Sequence, residues 1–200
     1  MSKTLLALLL VLGLVVLGVL TLGGTYNRMV GLDEQVGEAW SQVENVYQRR
    51  ADLVPNLVAT VQGAADFERD TFEAVTEARS RVGSINVEGA PSAAQLQQFQ
   101  AGQEALSGAL SRLLVVVENY PELTATQGFR DLQTQLEGTE NRIAVERRRY
   151  NEVAREYNTA RRRFPTLLVA GLLGFDEHPY FAAEAGAETA PEVDFSSSDG

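Results

Sequence analysis

Two hydrophobic patterns divide the chain. The first is an unbroken apolar run: Leu5 to Leu22 reads LLALLLVLGLVVLGVLTL, with no charge and no strongly polar side chain except Thr21. A helix crossing a hydrocarbon core of about 30 Å needs roughly 20 apolar residues, and Thr4, Gly23 and Gly24 bring the run to that length. It exceeds the apolar part of a secretory leader, and its end (Leu20-Thr21-Leu22-Gly23-Gly24-Thr25) has no small-x-small cleavage pattern. Residues 1–25 therefore read as a retained transmembrane anchor, with the lipid bilayer as partner of Leu5–Leu22. Lys3 lies on its short side and Arg28 on its long side, followed by Asp33, Glu34 and Glu38. The positive-inside rule then leans towards the N-terminus inside and the domain outside.

The second pattern begins after Thr25, where apolar residues recur at spacings of three and four. One row runs Leu32, Val36, Ala39, Val43, Val46, Arg50, Leu53, Leu57, Thr60, Ala64, Phe67, Thr71, Val75, Ala78 and Val82. A mean spacing near 3.5 marks a helix packed along a left-handed seam. Pro55 interrupts the row without shifting its phase, so the pattern predicts one long helix kinked near Ala51–Pro55. Gly83 to Pro91 forms a break, and Pro91-Ser92 a helix start. A second helix carries Leu96, Phe99, Gln103, Leu106, Leu110, Leu113, Val117 and Tyr120. Asn119-Tyr120-Pro121 is the next turn. A third helix carries Phe129, Leu132, Leu136, Glu140, Ile143, Arg147, Tyr150, Ala154, Tyr157, Arg161 and Phe164. The predicted fold is all-α: an elongated antiparallel bundle of three long helices over residues 26–181, or four if the first breaks at Pro55.

After Pro165, Thr166–Phe175 is too short to cross a membrane. It reads as a short helix capping the open end of the bundle, or as an apolar patch for a partner or a lipid headgroup layer. Residues 176–181 form a turn. Residues 182–200 are acidic with little to bury and read as a disordered tail, from which Val193 and Phe195 can still dock onto the body.

Composition removes most chemistry. The net charge of −10 argues against nucleic acid. There is no cysteine, so disulfides, thiolate metal sites and a Cys nucleophile are excluded. His178 is the single histidine, and there is no Gly-x-Ser-x-Gly or phosphate-cradling loop. No cofactor or metal is expected. The arginine runs 147–149 and 161–163 read either as balance for Glu146, Glu152 and Glu156 or as contacts to anionic headgroups or an acidic partner.

Polar residues embedded in the apolar rows are the candidate interaction residues. Arg50 lies on the first row, with Asp52 and Asn56 beside it. Glu140 and Arg147 lie on the last row, with Asn141 and Arg142 adjacent. Buried charges persist only when paired, and antiparallel packing can bring Arg50 towards Glu140 or Asp52 towards Arg142. Such pairs would fix register at the kink, or line a polar pocket there. Tyr150-Asn151 and Tyr157-Asn158 recur one heptad apart, with the tyrosines on the apolar row.

Several blocks carry a likeness. Arg49-Arg50-Ala51-Asp52-Leu53-Val54-Pro55-Asn56-Leu57-Val58 and Thr139-Glu140-Asn141-Arg142-Ile143 occur in order. Tyr26-Asn27, Trp40, Val43-Glu44-Asn45, Tyr120-Pro121, Tyr150-Asn151, Tyr157-Asn158, Phe164-Pro165 and Gly174-Phe175 accompany them. From the anchor to about Phe181 the chain resembles the LemA family of bacterial membrane-associated proteins. The resemblance implies an N-terminal transmembrane helix and a helical bundle, and no particular activity. Descriptions of the family with the short N-terminus outside reverse the charge argument, so the sidedness stays open. The functional expectation is a non-enzymatic, membrane-anchored scaffold or adaptor of the cell envelope. Its partners would be membrane or envelope proteins, with self-association as another route. The alternative is a ligand-binding sensor or hydrolase using the polar residues near Pro55.

Overall fold

The computed structural model describes residues 2–62, 69–87 and 89–182. Its elements are helices α1 (Lys3–Gln62), α2 (Arg69–Gly83), α3 (Ala93–Val117), α4 (Pro121–Thr124) and α5 (Gln127–Arg162), then a 3-10 turn at Thr166–Leu168. The described residues contain no strand, so the all-α reading holds.

Helix α1 runs without interruption through Gly23-Gly24 and through Pro55. At 1.5 Å per residue it is about 90 Å long. Its first part is exposed along Leu5–Leu22, and burial begins at Met29. The helix therefore has no break where the apolar run ends; only its burial changes.

The first predicted helix does not continue to Val82. Ala64 and Phe67 lie outside the described residues, but α2 returns alongside α1: Arg79 Nε donates to the Ala51 carbonyl at 3.0 Å, 28 residues back. The predicted row resumes on α2: Val75, Ala78 and Val82 are buried as expected, with Phe72 buried beside the partly buried Thr71. The reversal falls between Gln62 and Arg69, past Pro55 rather than at it. A proline at position 55 has no N–H to give the Ala51 carbonyl one turn earlier. That acceptor is filled by Arg79 instead.

Contacts fix the directions. Trp40 meets Tyr150 at 5.8 Å between ring centroids, and Arg50 meets Glu140 at 2.7 Å, so α5 runs antiparallel to α1. Tyr47 packs on Phe99 and Arg50 reaches Gln103, so α3 runs parallel to α1. The result is an up-down-up-down bundle whose second member, α2, covers only the half remote from the N-terminal apolar run. A capping box between Ser92 and Gln95 starts α3, and Thr126 caps α5.

Two cores follow from this arrangement. The distal one joins Leu53, Leu57 and Val61 to α2, to the Leu106–Val117 part of α3, and to Phe129 and Leu136. The proximal one joins Met29 to Tyr47 with Phe99, Ile143 to Ala160, and Phe175 and Phe181. Where α2 is absent, residues 175–182 lie along the bundle as a strap. Phe181 stacks on Trp40 and meets Tyr150 edge-on. Asn151 and Asn158 bond the strap backbone at Phe181 and His178, and His178 Nε2 pairs with Asp33 at 2.7 Å. The predicted tail beyond this point, including Val193 and Phe195, lies outside the described residues.

Candidate functional site

Among the described residues Arg50 is the most deeply buried charge, 2% exposed. It occupies a seam position of α1, where its neighbours one turn away are apolar. Its Nη1 donates to Glu140 Oε1 at 2.7 Å and to Ser107 Oγ at 3.0 Å. Its Nη2 donates to the Gln103 carbonyl at 3.3 Å and to Gln103 Oε1. The guanidinium also sits over the Tyr47 ring at 5.1 Å. Three helices are thus tied through one side chain. Burial without such partners would cost several kcal/mol.

Beside this cluster a cleft of about 520 Å³ opens to solvent between α1, α3 and α5. Arg50, Gln103, Ser107 and Glu140 form its wall, with Gln100, Glu104 and Arg147 at the sides. Glu140 is half exposed at its mouth. Two buried donors on the wall, Arg50 Nε and Gln103 Nε2, meet no protein acceptor. Both atoms are closed off from solvent, so the polar group the cleft exposes from this cluster is the Glu140 carboxylate.

The sequence candidates separate into two groups. Arg50 and Glu140 come together as their rows suggest. Arg147 lies further along the cleft, donating to the Ala182 carbonyl at 3.0 Å, with its guanidinium 4.9 Å from the Phe181 ring centre. Asp52, Asn56, Asn141 and Arg142 are exposed. Asp52 accepts from Gln48 at 2.8 Å and does not meet Arg142. The register explains this: α1 and α5 pair 40 with 150 and 50 with 140, so 52 lies opposite 138, a turn from 142. Gln103 was legible as a polar residue on the apolar row of α3. Ser107 carried no sequence signal.

Titratable groups in the proximal core are displaced by burial. Burial raises the Glu44 carboxyl, with the Trp40 indole N–H pulling it part-way back. The Tyr150 phenol is raised by burial and further by Tyr180. Tyr157 is pushed up to about 12, first by burial, then by the charge of Asp33. Among the described residues no group of three His, Cys, Asp or Glu is placed to hold a metal ion.

Sequence comparison adds the relationship. The profile of the LemA family matches residues 39–195. This chain belongs to the LemA family. Magnetosome protein MamQ 2 of Paramagnetospirillum magneticum is 30% identical over 194 residues, covering 88% of this chain and 71% of its own length. Magnetosome protein MamQ of Magnetospirillum gryphiswaldense is 28% identical over 184 residues, 82% of this chain and 67% of its own. Protein LemA of Metamycoplasma hominis is 24% identical over 147 residues, 74% and 64% respectively. In this chain the matched region is a helical bundle that continues a long apolar helix, and Arg50 and Glu140 form a polar tie within it.

Proposed function

We propose that this LemA-family chain is a non-enzymatic, membrane-anchored scaffold that holds a helical rod upright on the envelope membrane for protein partners. The observation that carries this reading is the continuity of α1. One helix runs from an exposed apolar span long enough to cross a bilayer into the buried seam of the bundle. A removable leader has no need to share a helix with the mature core, so continuity favours a retained anchor over a signal sequence. The domain faces outward on the charge balance of Lys3 against Arg28.

Two measurements test the reading. Intact mass of the membrane-extracted chain should include residues 2–25; loss of that segment would make the apolar run a leader. In-membrane cross-linking should return the same protein partners repeatedly, or a second copy of the chain. A rod that stays monomeric and uncross-linked would defeat the scaffold role.

A ligand-binding role has one observation in its favour, the open cleft with Arg50, Gln103, Ser107 and Glu140 on its wall and Arg147 beside it. The arginines fit an acceptor such as a carboxylate. The cleft wall holds no nucleophile–base pair, since Ser107 only accepts from Arg50, so binding is favoured there over hydrolysis. Titration with acetate and short acidic peptides, read by chemical shifts at Gln103, tests it; unmoved shifts dispose of it.

A further inference from the structure

The segment after α5 closes on the bundle end as a 3-10 turn and further turns, with one side inward and one outward. Thr166, Ala170 and Phe175 turn inward and are buried. Phe164, Leu167, Leu168, Leu172 and Leu173 turn outward, with Phe164 81% and Leu172 88% exposed. Single exposed apolar residues are ordinary on a protein surface. A contiguous group of large ones within ten residues marks an interaction surface.

Its position says what covers it. Phe175 packs on Tyr26 with ring centroids 5.5 Å apart, and Arg161 Nε holds the Phe175 carbonyl at 2.7 Å. The segment is therefore fastened beside α1 at the point where the span leaves the bilayer. Tyr26 stands four residues past Leu22, about 6 Å along the helix. The headgroup layer of one leaflet is about 5–8 Å thick. Tyr26 thus sits at headgroup depth once Leu5–Leu22 is in hydrocarbon. Arg28 of α1 and Arg163 at the end of α5 line one groove, with Arg155, Glu152 and Glu156 further along it; the two arginines at its near end stand where cations meet lipid phosphate. Apolar residues at the interface flanked by arginine are the composition of an element lying in a membrane surface.

We propose that Phe164–Leu173 is a second membrane contact, an apolar wedge seated in the leaflet that the α1 span leaves. With the span it makes a two-point attachment that fixes the tilt of the rod. The proposal rests on the anchored reading above, and its test separates the two.

The full chain has no cysteine, so single-cysteine variants Leu14→Cys, Leu172→Cys and Val115→Cys can each carry an environment-sensitive fluorophore. Val115 is exposed on α3 in the distal half. The full-length protein is reconstituted in phosphatidylcholine vesicles with and without phosphatidylglycerol, containing lipids with quenchers at shallow or deep positions. The wedge predicts blue-shifted Leu172 emission and shallow-lipid quenching about threefold or more above Val115. Leu14 should respond to deep quenchers. Pairing Leu167→Asp with Leu168→Asp should return the Leu172 signal to the Val115 level and leave Leu14 quenched. A Leu172 probe that matches Val115 while Leu14 is quenched overturns the wedge and leaves the anchor intact. Loss of quenching at both sites overturns the anchor reading as well. A Leu172 shift that grows with protein density at fixed lipid assigns the patch to a second copy and also overturns the wedge.

Discussion

Arg79 donates its Nε proton to the carbonyl of Ala51 at 3.0 Å, the acceptor that Pro55 leaves without a helical partner. A proline that costs α1 one hydrogen bond thereby supplies α2 with a docking point. Pro55→Ala would restore an N–H facing that carbonyl and set the helix in competition with Arg79. Arg79→Met should cost about 1–2 kcal/mol when residue 55 is proline. It should cost less than half of that in the Pro55→Ala background. Urea unfolding of the four variants in one detergent checks it; additive effects would detach the proline from α2 docking.

Arg50 and Glu140 form a pair with one buried and one half-exposed partner, so the two deletions are unequal. Arg50→Ala should cost about 3–5 kcal/mol through lost packing and the stranded Gln103 and Ser107 groups. Glu140→Gln keeps a hydrogen-bond acceptor and should cost about 1 kcal/mol, since solvent screens the exposed carboxylate. A double-mutant cycle should give a coupling of about 1 kcal/mol or more.

Asn158 is wholly buried and receives the strap at two backbone atoms of His178, with Asn151 doing the same at Phe181. Asn158→Ala should leave those groups unsatisfied and cost about 2–4 kcal/mol. Chymotrypsin cleavage at Tyr180 and Phe181 should accelerate, and amide exchange at His178 and Phe181 should rise before the rest of α5 is affected. A variant that loses stability with unchanged strap protection would refute the clasp.

Tyrosine ionisation gives an alkaline limit. Tyr157 titrates near 10 when unfolded and is held up to about 12 by the fold. The native state keeps its proton while the unfolded chain loses one, so stability is full below pH 10 and falls as pH rises towards 12. Tyr157→Phe should flatten that decline, with tyrosinate absorbance and helix signal followed together. The Tyr150 hydroxyl is buried without a partner. Tyr150→Phe should therefore be neutral or stabilising by a few tenths of a kcal/mol.

The helical rows were legible because burial follows a helical period: every position named on the α3 row from Leu96 to Val117 is buried. Arg50 and Glu140 were legible because charge on an apolar row demands a partner. The α2 reversal was not, because Leu57 to Val75 holds no proline and only one glycine, Gly63, and a spacing of three or four resumes by chance after the turn. The strap was hidden for a different reason. Its anchors are asparagines on α5, and an asparagine that binds a distant backbone looks the same in sequence as one facing water. The outward turn of Leu167 and Leu172 was one of two readings, since apolar content alone does not say which side of a short segment faces the core.

The division of the bundle into a distal half covered by α2 and a proximal half closed by the strap also sets an order in time. The distal half closes through neighbours in sequence, α2 against α3. The proximal half closes only when His178 reaches Asp33, 145 residues earlier. Long-range closure is slow, and synthesis delivers the N-terminal end first. During synthesis the stripe from Met29 to Tyr47, met first by Phe99 of α3, thus stays incompletely covered until nearly the whole chain has been made, and the strap completes the cover.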